Sequence, residues 1–168
     1  MAETTDQSVL VVFQVGGENC AIPAGSVSEI APMARLARSP GLPSVLAGLL
    51  NLRGVAVPVI RLDRLFGLPP RDPGAYSHLI VLRGPSGPAA ILADRVLDVA
   101  SPPAEAFRPV PPGKSFNACA VSLVEMDGRS IYLLSADRLL LEQEKQAVDE
   151  FRSLSQRYLD DLLARPGA

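Results

Sequence analysis

Val9-Leu-Val-Val-Phe-Gln-Val-Gly-Gly-Glu-Asn-Cys-Ala-Ile-Pro-Ala-Gly-Ser-Val-Ser-Glu-Ile-Ala31 lies on His78-Leu-Ile-Val-Leu-Arg-Gly-Pro-Ser-Gly-Pro-Ala-Ala-Ile-Leu-Ala-Asp-Arg-Val-Leu-Asp-Val-Ala100 at an offset of 69 without a gap. Leu10/Leu79, Val12/Val81, Ala21/Ala90, Ile22/Ile91, Ala24/Ala93, Val27/Val96 and Ala31/Ala100 are identical, and Glu29/Asp98 keeps the charge. At an offset of 74, Asp63-Arg64-Leu65 matches Asp137-Arg138-Leu139, each after an apolar run. Each half thus reads as a hairpin, a further strand, a second hairpin and a short helical finish. Two copies are too few for a solenoid. The expected solution is a mainly β fold of two small five-stranded barrels packed together, over about 9–70 and 75–141.

The runs between the matched segments are also of strand length. Leu49–Arg53 and Val55–Leu62 meet at Gly54, and Ala118–Val124 and Arg129–Ser135 meet around Met126-Asp127-Gly128, for about nine short strands in all. Gly54 is expected to serve a tight turn that a Cβ would strain. Pro58 has no N–H for a ladder and predicts an edge or bulged strand. The loop Ser101–Phe116 carries five prolines and reads as a connector or a contact surface. Beyond it, no Gly or Pro occurs from Arg129 to Arg165. Val148, Phe151, Tyr158, Leu159 and Leu162 share one side of a helix; Asp149, Gln156, Arg157 and Asp160 share the other. This predicts an amphipathic extension over 142–168, docked on its own barrels with a partner protein or a second copy as the alternative, and a flexible terminus over 1–8.

Composition narrows the function. The 168 residues are 48% hydrophobic but only 5% aromatic, with no Trp, so the core is aliphatic. Sixteen prolines and thirteen glycines disfavour a helical bundle. A net charge of −2 disfavours a nucleic-acid partner. The first residues lack the pattern of a signal peptide, and the longest uncharged run, Ser39 to Leu52, contains two prolines; neither membrane insertion nor export is expected. Cys20 and Cys119 lie in small apolar surroundings, as inert buried thiols do. The lone histidine, His78, has no second imidazole with which to hold a metal. No phosphate loop or nucleophile elbow is present, and Asp94 and Asp98 have no base or nucleophile beside them. The chain is expected to bind rather than catalyse, with no catalytic residue, metal or cofactor.

The segment Gly48-Leu-Leu-Asn-Leu-Arg-Gly-Val-Ala-Val-Pro-Val-Ile-Arg-Leu-Asp-Arg-Leu-Phe-Gly-Leu-Pro69 closely resembles the signature of CheW domains. There an Asn-Leu-Arg-Gly turn precedes an apolar strand with a central Pro-Val and a short helix. Phe13, Ala21-Ile22-Pro23, Val27-Ser-Glu-Ile30 and Ile91-Leu-Ala-Asp-Arg-Val-Leu-Asp98 fit the family's other strands in order, so the resemblance spans roughly Val9 to Leu141. It implies Src-homology-3-like barrels and a cytoplasmic, non-catalytic adaptor recruited to membrane-associated chemoreceptor arrays. The implied partners are the regulatory domain of a CheA-type histidine kinase, the cytoplasmic hairpin tip of a methyl-accepting chemoreceptor, and other CheW-like domains. The alternative output is a non-flagellar array that governs surface motility, pili or cyclic-dinucleotide turnover. The resemblance also places Glu29 and Arg53 together beside the receptor-facing groove. Leu52, Val57 and Val59 are candidates to line that groove, with plain core as the competing assignment.

Overall fold

The structure is a computed structural model; it describes residues 9–38, 40–69, 72–84, 87–111, 119–139 and 142–164. The expectations for 1–8, for the Pro85-Ser86 turn, for the end of the Pro-rich loop and for the last four residues lie outside these. In chain order the strands are β1 (Leu10–Val15), β2 (Glu18–Pro23), β3 (Val27–Pro32), β4 (Leu46–Leu52), β5 (Val55–Ile60), β6 (His78–Leu82), β7 (Ala89–Ala93), β8 (Arg95–Ala100), β9 (Phe107–Arg108), β10 (Ala120–Met126) and β11 (Arg129–Leu134). The helix α1 (Leu62–Leu65) follows β5, and α2 (Glu142–Ala164) ends the described chain. Part of the Pro-rich loop is therefore structural, because β9 pairs with β10 at Val124↔Phe107 and Leu123↔Arg108.

The strands form a six-stranded sheet of order β8-β1-β2-β11-β10-β9 and a five-stranded sheet of order β3-β6-β7-β5-β4. The duplication is visible in the registers. Leu10↔Ala100 and Val12↔Asp98 in one sheet repeat as Leu79↔Ala31 and Val81↔Glu29 in the other, with a bulge at the same step. The parallel pair Leu133↔Ala21 repeats as Val59↔Ala90. Tyr132↔Cys20 has no counterpart, and its equivalent on β5 is Pro58. The proline does not lie on an edge strand, since β5 runs between β7 and β4. It begins instead the stretch of β5 that β7 does not reach.

The division at residues 70–75 does not separate the sheets. Residues 27–93 build the five-stranded sheet without interruption, and the segments on either side build the other. The two repeats have exchanged their leading hairpins: β3 pairs with β6, and β8 with β1. A third strand can pair with either hairpin in the same register when the hairpins are alike, so the repeat alone does not specify the partner.

The central strands of each sheet are buried on both faces. Leu10, Val12, Ala21, Val124, Ile131 and Leu133 form a core within the six-stranded sheet, and Leu50, Val57, Val59, Leu79, Val81 and Leu92 form one within the other. Val11, Phe13, Ile22, Ile60, Ile80 and Ile91 face a third core shared between them. This accounts for strands that read as continuous apolar runs. Closure of the five-stranded sheet is begun by Ala37, beyond β3, which exchanges backbone hydrogen bonds of 2.8 and 2.9 Å with Leu49 of β4.

Helix α2 docks on this body. Val148 is buried in the shared core with Phe151 packed against it. The expected face is rotated: Tyr158 is 66% exposed, while Gln156, expected in solvent, bonds to β5. Val148, Phe151, Leu159 and Leu162 of that face are buried or half-buried, so the rotation is small.

Candidate functional site

The β4–β5 connection is a two-residue turn with both central residues at positive φ, Arg53 at 52° and Gly54 at 85°. That is the twist a tight hairpin requires, and it is the reason a glycine stands second. Asn51 Oδ1 accepts a hydrogen bond from the Gly54 N–H at 2.9 Å, which fixes the turn from its first side. The equivalent β10–β11 turn repeats the geometry, with Asp127 at 51° and Gly128 at 74°.

From this turn the Arg53 guanidinium reaches Glu29 on β3, Nη2 to Oε2 at 3.2 Å, with the Arg53 side chain 74% exposed. Sequence reading paired these two residues, and the fold brings them together. Ile30, which follows Glu29 on β3, and Val55, two residues beyond Arg53, are each about 40% exposed. A solvated ion pair on the rim of a sheet suits a protein surface rather than chemistry. Isolated apolar exposure is the sequence signal for Ile30 and Val55, and it is weak because single exposed aliphatics are common.

Leu52 is half-buried against the core of the five-stranded sheet. Val57 and Val59 are fully buried in that core, so they are not contact residues. Strand alternation selects a face, but from Ala56 to Ile60 both faces of β5 are covered.

The polar groups elsewhere have structural duties. Arg61 and Asp63 form a buried two-point pair at 3.1 and 2.6 Å, and Asp63 also accepts from the Arg64 N–H. The hydrogen bond to Asp63 raises the Arg61 pKa against the opposing effect of burial. Asp94 accepts from the Gly16 N–H at 2.8 Å, and Asp98 from the Val99 N–H at 2.7 Å, so both carboxylates considered for hydrolysis stabilise backbone. His78 Nδ1 lies 2.9 Å from the Tyr76 carbonyl. Burial pushes the Cys119 thiol up to about 11 and the Cys20 thiol higher still, which makes poor nucleophiles of both. Among the described residues no group of three His, Cys, Asp or Glu side chains converges as a metal site, and no helix is long and apolar enough to cross a membrane.

Comparison with known proteins agrees with this architecture. A family model described as a CheW-like domain matches residues 9–144. Chemotaxis protein CheW of Klebsiella aerogenes is 32% identical over 149 residues, covering 88% of this chain and 89% of that protein. A probable chemotaxis protein CheW of Rhizobium etli is 29% identical, covering 82% and 90%. Among solved structures, the scaffolding protein TtCheW from Thermoanaerobacter tengcongensis superposes with a TM-score of 0.72 at 24% identity, covering 77% of this chain and 85% of that one, and so shares the fold. The chain therefore belongs to the CheW-like domain family, whose members are non-catalytic scaffolds of chemotaxis signalling.

Proposed function

We propose that this scaffold couples a chemoreceptor to a CheA-type histidine kinase, and that Glu29, Arg53 and Leu52 face the receptor. The observation that carries the reading is the family match across the whole two-sheet body, 9–144. The exposed Arg53–Glu29 pair supports the choice of surface. A pair held at the end of a rigid hairpin contributes little to stability, about 0–1 kcal/mol, but fixes direction and register for a partner. The kinase regulatory domain binds a separate face, so that both partners are held at once, and recruitment by the receptor brings the chain to the membrane-associated array.

The test is co-purification from the native cell, followed by titration with a soluble fragment that carries the receptor hairpin tip. Retention of both a receptor and a CheA-type kinase is expected. Recovery of neither, or competition of the two for one site, refutes the coupling.

A further inference from the structure

Two hairpin turns in this molecule are equivalent, Arg53-Gly54 and Asp127-Gly128, and among the described residues the first alone is held by a side chain from outside the sheet. Its hold is Gln156, in the middle of α2. The Ala56 N–H donates to Gln156 Oε1 at 2.8 Å, and Gln156 Nε2 donates to the Gly54 carbonyl at 2.9 Å. These groups flank Val55, and in a parallel sheet they are the two that one residue of a neighbouring strand would bond. A single side-chain amide thus replaces a strand neighbour.

The replacement occurs where it is needed. The ladder from β7 reaches β5 only at Val59 and Ile60, and Pro58 cannot extend it. The edge from Gly54 to Ala56, beyond the reach of β7, would otherwise present an unpaired carbonyl and N–H. The end of α2 abuts the same turn: a Cβ on Gly54 would stand 3.4 Å from Leu163 Cδ1. The amide is itself restrained by Asp160, whose Oδ1 accepts from Nε2 at 3.1 Å. Asn51 within the hairpin and Gln156 across its open edge therefore grip Gly54 from two sides. The next residue back is Arg53, which reaches Glu29.

We propose that Gln156 is a positioning residue: its amide closes the open edge of β5 and holds the Arg53-Gly54 turn, and with it the Arg53–Glu29 pair, in the orientation a partner meets. The hold on the turn stands on geometry alone; its consequence for binding rests on the receptor-facing role proposed above. Among the described residues the device has no counterpart at the equivalent turn, which favours a role at the turn that bears the ion pair over general bracing of the fold.

The test uses the full chain with Gln156→Leu, which keeps bulk and removes the amide. Hydrogen exchange at the Ala56 amide is expected to rise at least about tenfold. Ser130, the equivalent position on β11, serves as the internal control and is expected to be unchanged. Unchanged protection at Ala56 overturns the proposal. Gln156→Met, which fills the same space with neither polar group, is expected to expose Ala56 as the Leu variant does; protection within about threefold of the parent would assign the hold to packing and overturn the amide's role. In titration with the soluble receptor-tip fragment, Gln156→Leu is expected to weaken binding about three- to tenfold and to add little to Arg53→Glu. If Arg53→Glu weakens binding and Gln156→Leu does not, positioning is overturned while the receptor surface stands. If neither affects binding, the receptor surface itself is refuted, and the positioning role with it.

Discussion

Arg53 and Glu29 lie 3.2 Å apart although they belong to opposite ends of the strand order β3-β6-β7-β5-β4. Glu29 is on the first strand of that order, and Arg53 follows the last. They meet because the sheet curls until its margins approach, with Ala37 and Leu49 making the backbone link at one point. The ion pair is thus a readout of sheet closure as well as a surface feature. Its position on a rim, not in a core, makes it replaceable without loss of the fold.

Arg53→Glu is accordingly expected to leave circular dichroism unchanged and to shift stability by no more than about 1 kcal/mol. Titration with the receptor-tip fragment should show weakened binding, and Glu29→Arg in the same chain should restore part of it. A folded Arg53→Glu protein that binds normally would remove Arg53 from the interface.

The buried pair Arg61–Asp63 carries the opposite expectation. Both side chains are about nine-tenths buried, and the carboxylate also holds the start of α1 through the Arg64 N–H. Asp63→Ala removes the carboxylate that makes both close contacts with a desolvated guanidinium. A loss on the order of 3–5 kcal/mol is expected, read from the urea midpoint at constant slope. Asp137, its equivalent in the other half, follows Ser135 and Ala136 and has no arginine at the matching place. Asp137→Ala should cost far less, and equal losses would refute the assignment.

What could be read from the sequence was the repeat, because repeated side chains repeat the register: Leu10↔Ala100 and Leu79↔Ala31 are one pairing written twice. What could not be read was whose hairpin each third strand joins, since the like hairpins β1–β2 and β6–β7 offer it the same surface. The ion pair came from the family resemblance and not from spacing; nothing local links Glu29 to Arg53. Val57 and Val59 failed as contacts because a strand with two cores carries no sign of which face is wet. Gln156 escaped because amphipathic periodicity locates a helix face only to within about one residue, and an uncharged amide on its margin looks like solvent-facing filler.

Cys20 and Cys119 should be silent toward thiol reagents in the native protein. Both are fully buried, and desolvation raises both pKa values, Cys119 to about 11. An aromatic disulfide reagent at pH 8 is expected to label neither thiol until urea unfolds the chain. The same shifts have a consequence in alkali. The folded thiols keep their protons where the unfolded ones, near 9, release them, so stability is intact below about pH 9 and falls as pH rises through 11. Cys119→Ala should flatten that fall, and an alkaline limb of unchanged slope would assign it to other groups.

Removal of α2 gives the broadest test of how the chain is held together. Two of the places where the helix docks at home are the core shared by both sheets, through Val148 and Phe151, and the edge of β5, through Gln156. Burying one large apolar side chain contributes roughly 1.5–3 kcal/mol, and the edge amide adds about 1 kcal/mol per hydrogen bond. A chain ending at Leu141 should therefore lose several kcal/mol and melt many degrees lower while its strands still pair, because none of the strand pairings includes α2. Val148→Ala separates the two docking places: it should lower the melting temperature without opening Ala56 to exchange. Gln156→Leu should open Ala56 with a smaller change in melting. An unchanged melting curve for the truncated chain would mean that α2 does not rest on this core in solution, and would remove the hold on the Arg53-Gly54 turn along with it.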